Sequence, residues 1–170
     1  MIKLDTLENQ VKTVYLAVGS NLGNKYKNIE LSKIALINNK INIIKSSSYY
    51  ETHSWPNKAD PKFLNVILKV KTVLDPLELL TICKKIEISL GRKKSKKNSP
   101  RECDIDIIDY NKMIKSNGVN LPHPRMHKRN FVLIPLFEIE KQWKHPKFKH
   151  HIKSLIFNLS KNDITSIKQI

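Results

Sequence analysis

The chain has 170 residues, of which 40% are hydrophobic and 27% charged, and its formal net charge is +16. This length and composition fit one soluble domain over 1–170, and they exclude a membrane-spanning protein because no apolar stretch approaches the ~20 residues of a span. The start, "MIKLDTLENQVKT", has no signal-peptide hydrophobic region, so we expect a cytoplasmic protein.

The first half of the chain reads as strand, helix, strand, strand. The stretch "TVYLAVGS" (13–20) is β-branched and aromatic and ends at turn residues, which predicts a strand. Helix formers follow over 21–39, and two further strands are predicted over 41–52 and 62–73. A loop rich in proline and turn formers, 54–61, separates these two strands.

The second half begins with the clearest helix. Asp75 is a typical N-cap, Pro76 fits the first helical position and Gly91 follows the last turn. The basic loop "RKKSKKNSP" (92–100) comes next, and "RECDIDIIDY" (101–110) predicts a fourth strand.

The remaining segments are a predicted hairpin over 111–122 and a short helix at the end of 123–141. The element order β-α-β-β-α-β predicts an α+β, ferredoxin-like fold with an antiparallel sheet and helices packed on it. We place the core at about 13–140, between a short N-terminal leader and a Lys-rich tail after about 150 that we expect to be peripheral.

Two carboxylates stand out in the fourth strand. Asp104 and Asp106 leave the same face of a strand, while Cys103, Ile105 and Ile107 point to the core face. An exposed polar edge is one interpretation of this alternation. The other is a site in which something compensates the repulsion between the two anions.

The cations nearby favour a site for a metal–polyphosphate complex. Arg92 opens the basic loop, Lys94 lies in it and Arg101 precedes the pair by three residues. Two hard carboxylates suit Mg²⁺, which takes its other ligands from water and phosphate oxygens. The chain uses Lys by default, so each Arg is a candidate for a place where a planar fork matters. The net charge alone decides nothing, since lysine-biased coding would also produce it, and no P-loop or GxGxxG spacing is present.

Six segments resemble a known family, in the family's order, over about 13–140. They are "YLAVGSNLGNK", "SSSYYET", "FLNVIL", "IEISLGR", "PRECDIDIIDY" and "LPHPRMHKRNFVLIPLFEI". The family is 6-hydroxymethyl-7,8-dihydropterin pyrophosphokinase, of folate biosynthesis. The resemblance implies transfer of pyrophosphate from ATP to the pterin hydroxymethyl group with release of AMP, a ferredoxin-like fold, two Mg²⁺ ions, a monomer, and no nucleic-acid or membrane partner.

The resemblance also assigns roles to residues. Metal and catalytic roles fall on Asp104, Asp106, Arg92 and Arg101. The residues expected to bind ATP are Glu87, Arg92, Lys94, Arg101, Ile107, His123 and Arg129. Those expected to bind the pterin are Ser20, Thr52, His53, Trp55, Phe63, Asn65 and Phe131.

The chain departs from the family pattern in the basic loop. Asn98 and Ser99 stand where many members have Trp-Gly, and the loop is shorter by about one residue, so lid closure is the open part of the resemblance. Two alternatives stay open here: another Mg²⁺-dependent phosphotransferase, or a basic nucleic-acid-binding module with the element order of an RRM. The nucleic-acid-binding interpretation is the weaker one, because this sequence lacks the aromatic strand signature of an RRM and because a carboxylate pair would repel a phosphate backbone.

Overall fold

An antiparallel sheet forms the centre of the molecule, whose computed structural model describes residues 10–54, 57–93, 96 and 98–170. Strand β1 (Lys12–Ser20) pairs on one side with β5 (Asp104–Tyr110) and on the other with β4 (Phe63–Thr72). Strands β2 (Asn42–Ser46) and β3 (Tyr50–Thr52) follow one another along the far side of β4. The sheet therefore has β5, which carries the two aspartates, at an edge.

Two helices cover one face of the sheet. Helix α1 (Lys25–Asn38) begins at Asn24, whose side chain accepts a hydrogen bond from the Lys27 amide. Helix α2 (Pro76–Ser89) begins with a capping box between Asp75 and Glu78, as the N-cap prediction required. Their apolar faces pack on one core with the following strand residues: Val14, Leu16, Val18, Ile105 and Ile107.

Three predicted elements differ from the structure. The strand predicted over 41–52 is split into β2 and β3 because Ser47 replaces regular pairing: its side-chain oxygen accepts a hydrogen bond from the Ile67 amide at 2.9 Å. The predicted hairpin over 111–122 is reduced to a single bridge between Lys115 and Leu121. The strand predicted over 101–110 begins later, at Asp104.

The prediction of a peripheral tail was wrong. Helix α3 (Asn130–Ile139) and helix α4 (Ile152–Phe157) build a second core on the other face of the sheet, where Trp143, Ile152 and Leu155 are buried. Beyond them, the chain forms helix α5 (Lys161–Thr165) and strand β6 (Lys168–Gln169), and β6 pairs with β3. Ile152 and Leu155 therefore belong to a core, whereas the residues after 156 are exposed apart from the partly buried Leu159 and Ile167.

Asp109 belongs to this second core rather than to the aspartate pair. A register shift in the β1–β5 pairing places it opposite Tyr15, and its side chain is fully buried. Its carboxylate accepts hydrogen bonds from the Trp143 indole at 2.8 Å and from the Lys112 amide at 2.9 Å. Asp109 is therefore a structural anchor.

Acid should weaken this second core through His145. The ring is 2% exposed and its Nδ1 accepts hydrogen bonds from the Lys147 and Phe148 amides. Burial, followed by the neighbouring His127, lowers the pKa of His145 to about 4. Between pH 6.5 and 4 the unfolded chain binds a proton that the native chain does not, so stability falls as the pH falls.

We expect urea unfolding at pH 7 and pH 4.5 to show a larger loss of stability in the wild type than in His145→Asn, which keeps an acceptor oxygen but does not titrate. Equal losses in the two proteins would contradict this role of His145.

Candidate active site

The two aspartates lie side by side at the open end of β5. Asp104 pairs with Gly19 of β1 and Asp106 with Ala17, so small residues flank both carboxylates. Their side chains are partly exposed, whereas Ile105 is fully buried on the other face. The alternation predicted from the sequence is confirmed.

Two arginines compensate Asp104. Arg92 donates from Nη1 to Oδ1 at 2.7 Å, and Arg101 donates from Nη2 to Oδ2 at 2.5 Å. Burial raises the pKa of Asp104, but Arg101, then Arg92 and Lys84, outweigh it and hold the pKa below its ordinary value. The carboxylate is therefore ionised at neutral pH, and each of its two oxygens accepts a hydrogen bond from an arginine.

Asp106 has its own pair of partners. Arg129 donates from Nη1 to Oδ2 at 3.1 Å, and His123 Nε2 lies 3.6 Å from the same oxygen. Burial, together with Arg129 and Arg125, lowers the pKa of His123 although Asp106 opposes the shift. His123 Nδ1 accepts a hydrogen bond from the Arg125 amide, and Arg129 Nη1 lies 3.4 Å from Nε2.

Glu87 lies behind Arg92, which bonds to it, and is 1% exposed. Its Oε1 accepts from the Ile105 amide, on the open edge of β5, at 2.7 Å, and its Oε2 accepts from Arg92 at 2.6 Å. Lys84 also pairs with it at 2.7 Å. Glu87 thus fixes helix α2 to β5 and orients Arg92, while its predicted contact with ATP stays a prediction.

A cleft of about 400 Å³ opens above these groups. Among the described residues that line it, seven Lys or Arg side chains face two carboxylates, so it is built for a polyanion. All four arginines of the chain lie on it, which fits the special use of Arg in a Lys-rich sequence. The described lining residues are Lys84, Arg92, Lys93, Lys96, Asn98, Ser99, Arg101, Asp104, Asp106, His123, Arg125 and Arg129.

Polar and aromatic residues predicted for the pterin lie beside the cleft. Asn65 of β4 pairs with Gly19, which pairs in turn with Asp104, so Asn65 and Asp104 are two strands or about 10 Å apart. Asn65 is 6% exposed and donates to Thr52 Oγ1 at 3.0 Å. The Arg101 guanidinium lies over the Phe63 ring, 5.1 Å from its centroid.

Phe131 is covered in the same way, with the Arg129 guanidinium 5.4 Å from its centroid. The structure therefore brings each predicted stacking ring together with an arginine of the aspartate pair. A flat heterocycle can stack on the ring faces that the two guanidinium groups now cover only after those groups have moved away.

Other predicted residues are placed differently. The Ile107 side chain lies in the core on the face away from the cleft, so only its backbone is available to a nucleotide. Ser20 is fully buried and accepts a hydrogen bond from Asn28 at 3.2 Å. His53 is exposed. Two predicted residues, Trp55 and Lys94, lie outside the described residues.

Two residues near the site were missed from the sequence. Gly19 has no room for a side chain, because a Cβ there would lie 3.0 Å from Asn65 Oδ1 and 3.4 Å from Phe63. Asn21, buried to 3% exposure, bonds to the backbone of Arg101. The sequence predicts Gly19 as the end of a strand and Asn21 as a turn residue before a helix, and only their spatial neighbours show more.

Two carboxylates ringed by arginines, in a cationic cleft at the end of an antiparallel sheet, define an enzyme class that acts on polyphosphates. The chain belongs to the 7,8-dihydro-6-hydroxymethylpterin-pyrophosphokinase (HPPK) family, whose sequence profile matches residues 15–141.

Named relatives agree with this membership. The 2-amino-4-hydroxy-6-hydroxymethyldihydropteridine pyrophosphokinase of Aquifex aeolicus is 42% identical over 142 residues, which cover 83% of this chain and 88% of that protein. The Bacillus subtilis protein of the same name is 38% identical over 131 residues, covering 75% of this chain and 78% of that protein.

A solved structure shares the fold. The Plasmodium falciparum HPPK-DHPS structure with pteroate superposes with a TM-score of 0.76 over 95% of this chain at 17% identity. This chain spans 46% of that longer protein. The likeness supports a mixed fold of helices and antiparallel sheet. Among the described residues, no helix is both long and apolar enough to cross a membrane.

Proposed function

We propose that the cleft binds ATP with two Mg²⁺ ions held by Asp104 and Asp106, next to a pterin site around Phe63, Asn65 and Phe131. The family and the names of the relatives carry the reaction itself: this enzyme transfers pyrophosphate from ATP to hydroxymethyldihydropterin in folate synthesis. In that reaction the pterin hydroxyl oxygen bonds to the β-phosphorus, the hydroxyl proton is lost, and AMP leaves as the bond from the β-phosphorus to the α,β-bridging oxygen breaks.

The donor set fits Mg²⁺. Asp104 and Asp106 offer hard oxygens from one strand face, partly exposed to the cleft. No group of three or more His, Cys, Asp and Glu side chains suited to a metal occurs in the described part of the chain, which agrees with an ion that takes its other ligands from water and phosphate. When bound, Mg²⁺ would supply positive charge to phosphate oxygens and lower the pKa of the attacking hydroxyl.

The arginines of the cleft are the groups of this chain that we expect to bind the triphosphate. Arg92, Arg101 and Arg129 form ion pairs with the aspartates. Phosphate oxygens are equally good partners for their planar forks, so a bound triphosphate can take over these guanidinium groups. His123 also lines the cleft and is a further candidate contact for phosphate. The transfer of Arg101 and Arg129 to phosphates would also free the Phe63 and Phe131 rings for the pterin.

The observation that carries this proposal is the pairing of both aspartates with arginines inside one cationic cleft. Product analysis tests it: ATP and the dihydropterin alcohol should give AMP and the pterin diphosphate in equal amounts. Formation of ADP or free phosphate as the main product would contradict it and favour another Mg²⁺-dependent phosphotransferase.

The finer predictions on architecture and setting form part of the same proposal. The strand neighbours β5, β1, β4 and β3, with α1 and α2 on one face, support the ferredoxin-like arrangement over one domain. We also expect a monomer, and an ATP-consuming reaction suits the cytoplasm.

Gly19 should affect the pterin more than the nucleotide. In Gly19→Ala, the new Cβ would push on Asn65 and Phe63 but on no cleft cation among its nearest neighbours. Because a small misplacement of a binding group is costly, we expect the KM for the pterin to rise about tenfold while the KM for ATP stays within about twofold. Steady-state kinetics with each substrate varied in turn measures both, and a selective rise in the KM for ATP would contradict the assignment.

A further inference from the structure

Asn21, in the turn after β1, joins three separate segments of the chain. Its side chain is 3% exposed, and both its amide nitrogen Nδ2 and its oxygen Oδ1 form hydrogen bonds to groups distant in sequence. A buried polar group whose partners are fully satisfied holds those partners in place, since water does not compete.

One half of this junction is Arg101. The Asn21 backbone N–H donates to the Arg101 carbonyl at 3.1 Å, and the Arg101 backbone N–H donates to the side-chain oxygen Oδ1 of Asn21 at 2.8 Å. This two-point pairing fixes the backbone of the residue whose guanidinium bonds to Asp104. It also fixes the end of the basic loop at the point where that loop enters the aspartate strand.

The other half is the connection between β3 and β4. Asn21 Nδ2 donates to Ser54 Oγ at 3.2 Å and to the Pro61 carbonyl at 3.1 Å, and Ser54 itself donates to that carbonyl at 2.5 Å. The connection runs from Thr52 to Phe63, which are both predicted to bind the pterin. The orientation of the amide is determined by its neighbours, because Arg101 presents a donor and Pro61 an acceptor.

We infer that Asn21 is a positioning residue that holds the pterin-binding connection in register with Arg101, so that the pterin hydroxymethyl group and the triphosphate meet. The inference rests on the proposed function of the two half-sites. A second tie between the same regions, from Lys25 Nζ to the Lys62 carbonyl, is exposed and therefore weaker.

The substitution Asn21→Asp separates the two halves of the junction. It retains the oxygen that accepts from Arg101 but replaces Nδ2, the donor to Ser54 and Pro61, by a carboxylate oxygen that faces a carbonyl. The binding of a nonhydrolysable ATP analogue with Mg²⁺ should therefore change less than about twofold, while pterin affinity in the presence of that analogue should fall about tenfold or more. Equilibrium titration measures both affinities without turnover.

Two further variants make the result decisive. Asn24→Ala removes the helix cap of α1 in the same turn, so it should lower the melting temperature and leave both affinities unchanged. Ser54→Ala removes one of the two acceptors of Asn21 and should weaken pterin binding in the same direction; it decides the matter if Asn21→Asp does not fold.

The outcomes separate the two hypotheses. A wild-type protein that binds the ATP analogue but no pterin contradicts the proposed pterin site. A wild-type protein that binds both, with Asn21→Asp or Ser54→Ala binding pterin equally well, overturns the role of Asn21 alone.

Discussion

Replacing Asp104 or Asp106 by Asn is expected to lower turnover by about 10³-fold, the scale of losing one preorganised electrostatic group at a reacting centre. Asn keeps the size and one acceptor oxygen but removes the charge that would hold Mg²⁺. The variants should stay folded, because both side chains lie at a partly exposed cleft rather than in a core. Steady-state assays of AMP release measure turnover, and thermal melting curves show whether the variants are folded.

Asp109→Asn is the matched control, on the same strand. Asp109 is buried against Trp143 and Lys112, so its loss should lower the stability by about 1–3 kcal/mol and leave turnover nearly unchanged at temperatures where the protein is folded. If Asp104→Asn and Asp106→Asn kept near-normal rates, neither aspartate would be a metal ligand in catalysis.

Arg101→Lys is expected to lower kcat/KM by about 10²-fold although the charge is kept. The Arg101 guanidinium donates to Asp104 and to the Ser99 carbonyl while it covers the Phe63 ring. A lysine ammonium is a single point of charge and cannot reproduce this set of contacts or a bidentate phosphate contact.

Arg125→Lys provides the comparison for this effect. Arg125 also lies on the cleft, but it is exposed and we place it outside the catalytic set, so a loss of less than about threefold is expected. Similar losses in the two variants, measured as kcat/KM for ATP at saturating pterin, would show that Arg101 has no special role.

Structural features that depend on residues close together in the sequence could be predicted. Asp75 and Pro76 define a helix start by local capping, and the alternation around Asp104 and Asp106 defines a strand with one polar face. The restricted use of Arg also pointed to the site, since all four arginines lie on the cleft.

Features that depend on distant neighbours were not predictable. Ser47 breaks a continuous strand because its side chain reaches the Ile67 amide on another strand. The tail is buried through Ile152 and Leu155 although its sequence has only a weak pattern. The arginine partners of the two aspartates also needed the structure, because Arg92 and Arg129 are distant from Asp104 and Asp106 in sequence.

We propose that a metal–nucleotide complex takes the place of the arginines on Asp104 and Asp106. A crystal structure with Mg²⁺ and a nonhydrolysable ATP analogue is the test. We expect metal density between the phosphates and the carboxylates of Asp104 and Asp106, with Arg92 and Arg101 moved from Asp104 to phosphate oxygens. A bound nucleotide with both arginines still on Asp104, and no metal beside it, would contradict the proposal.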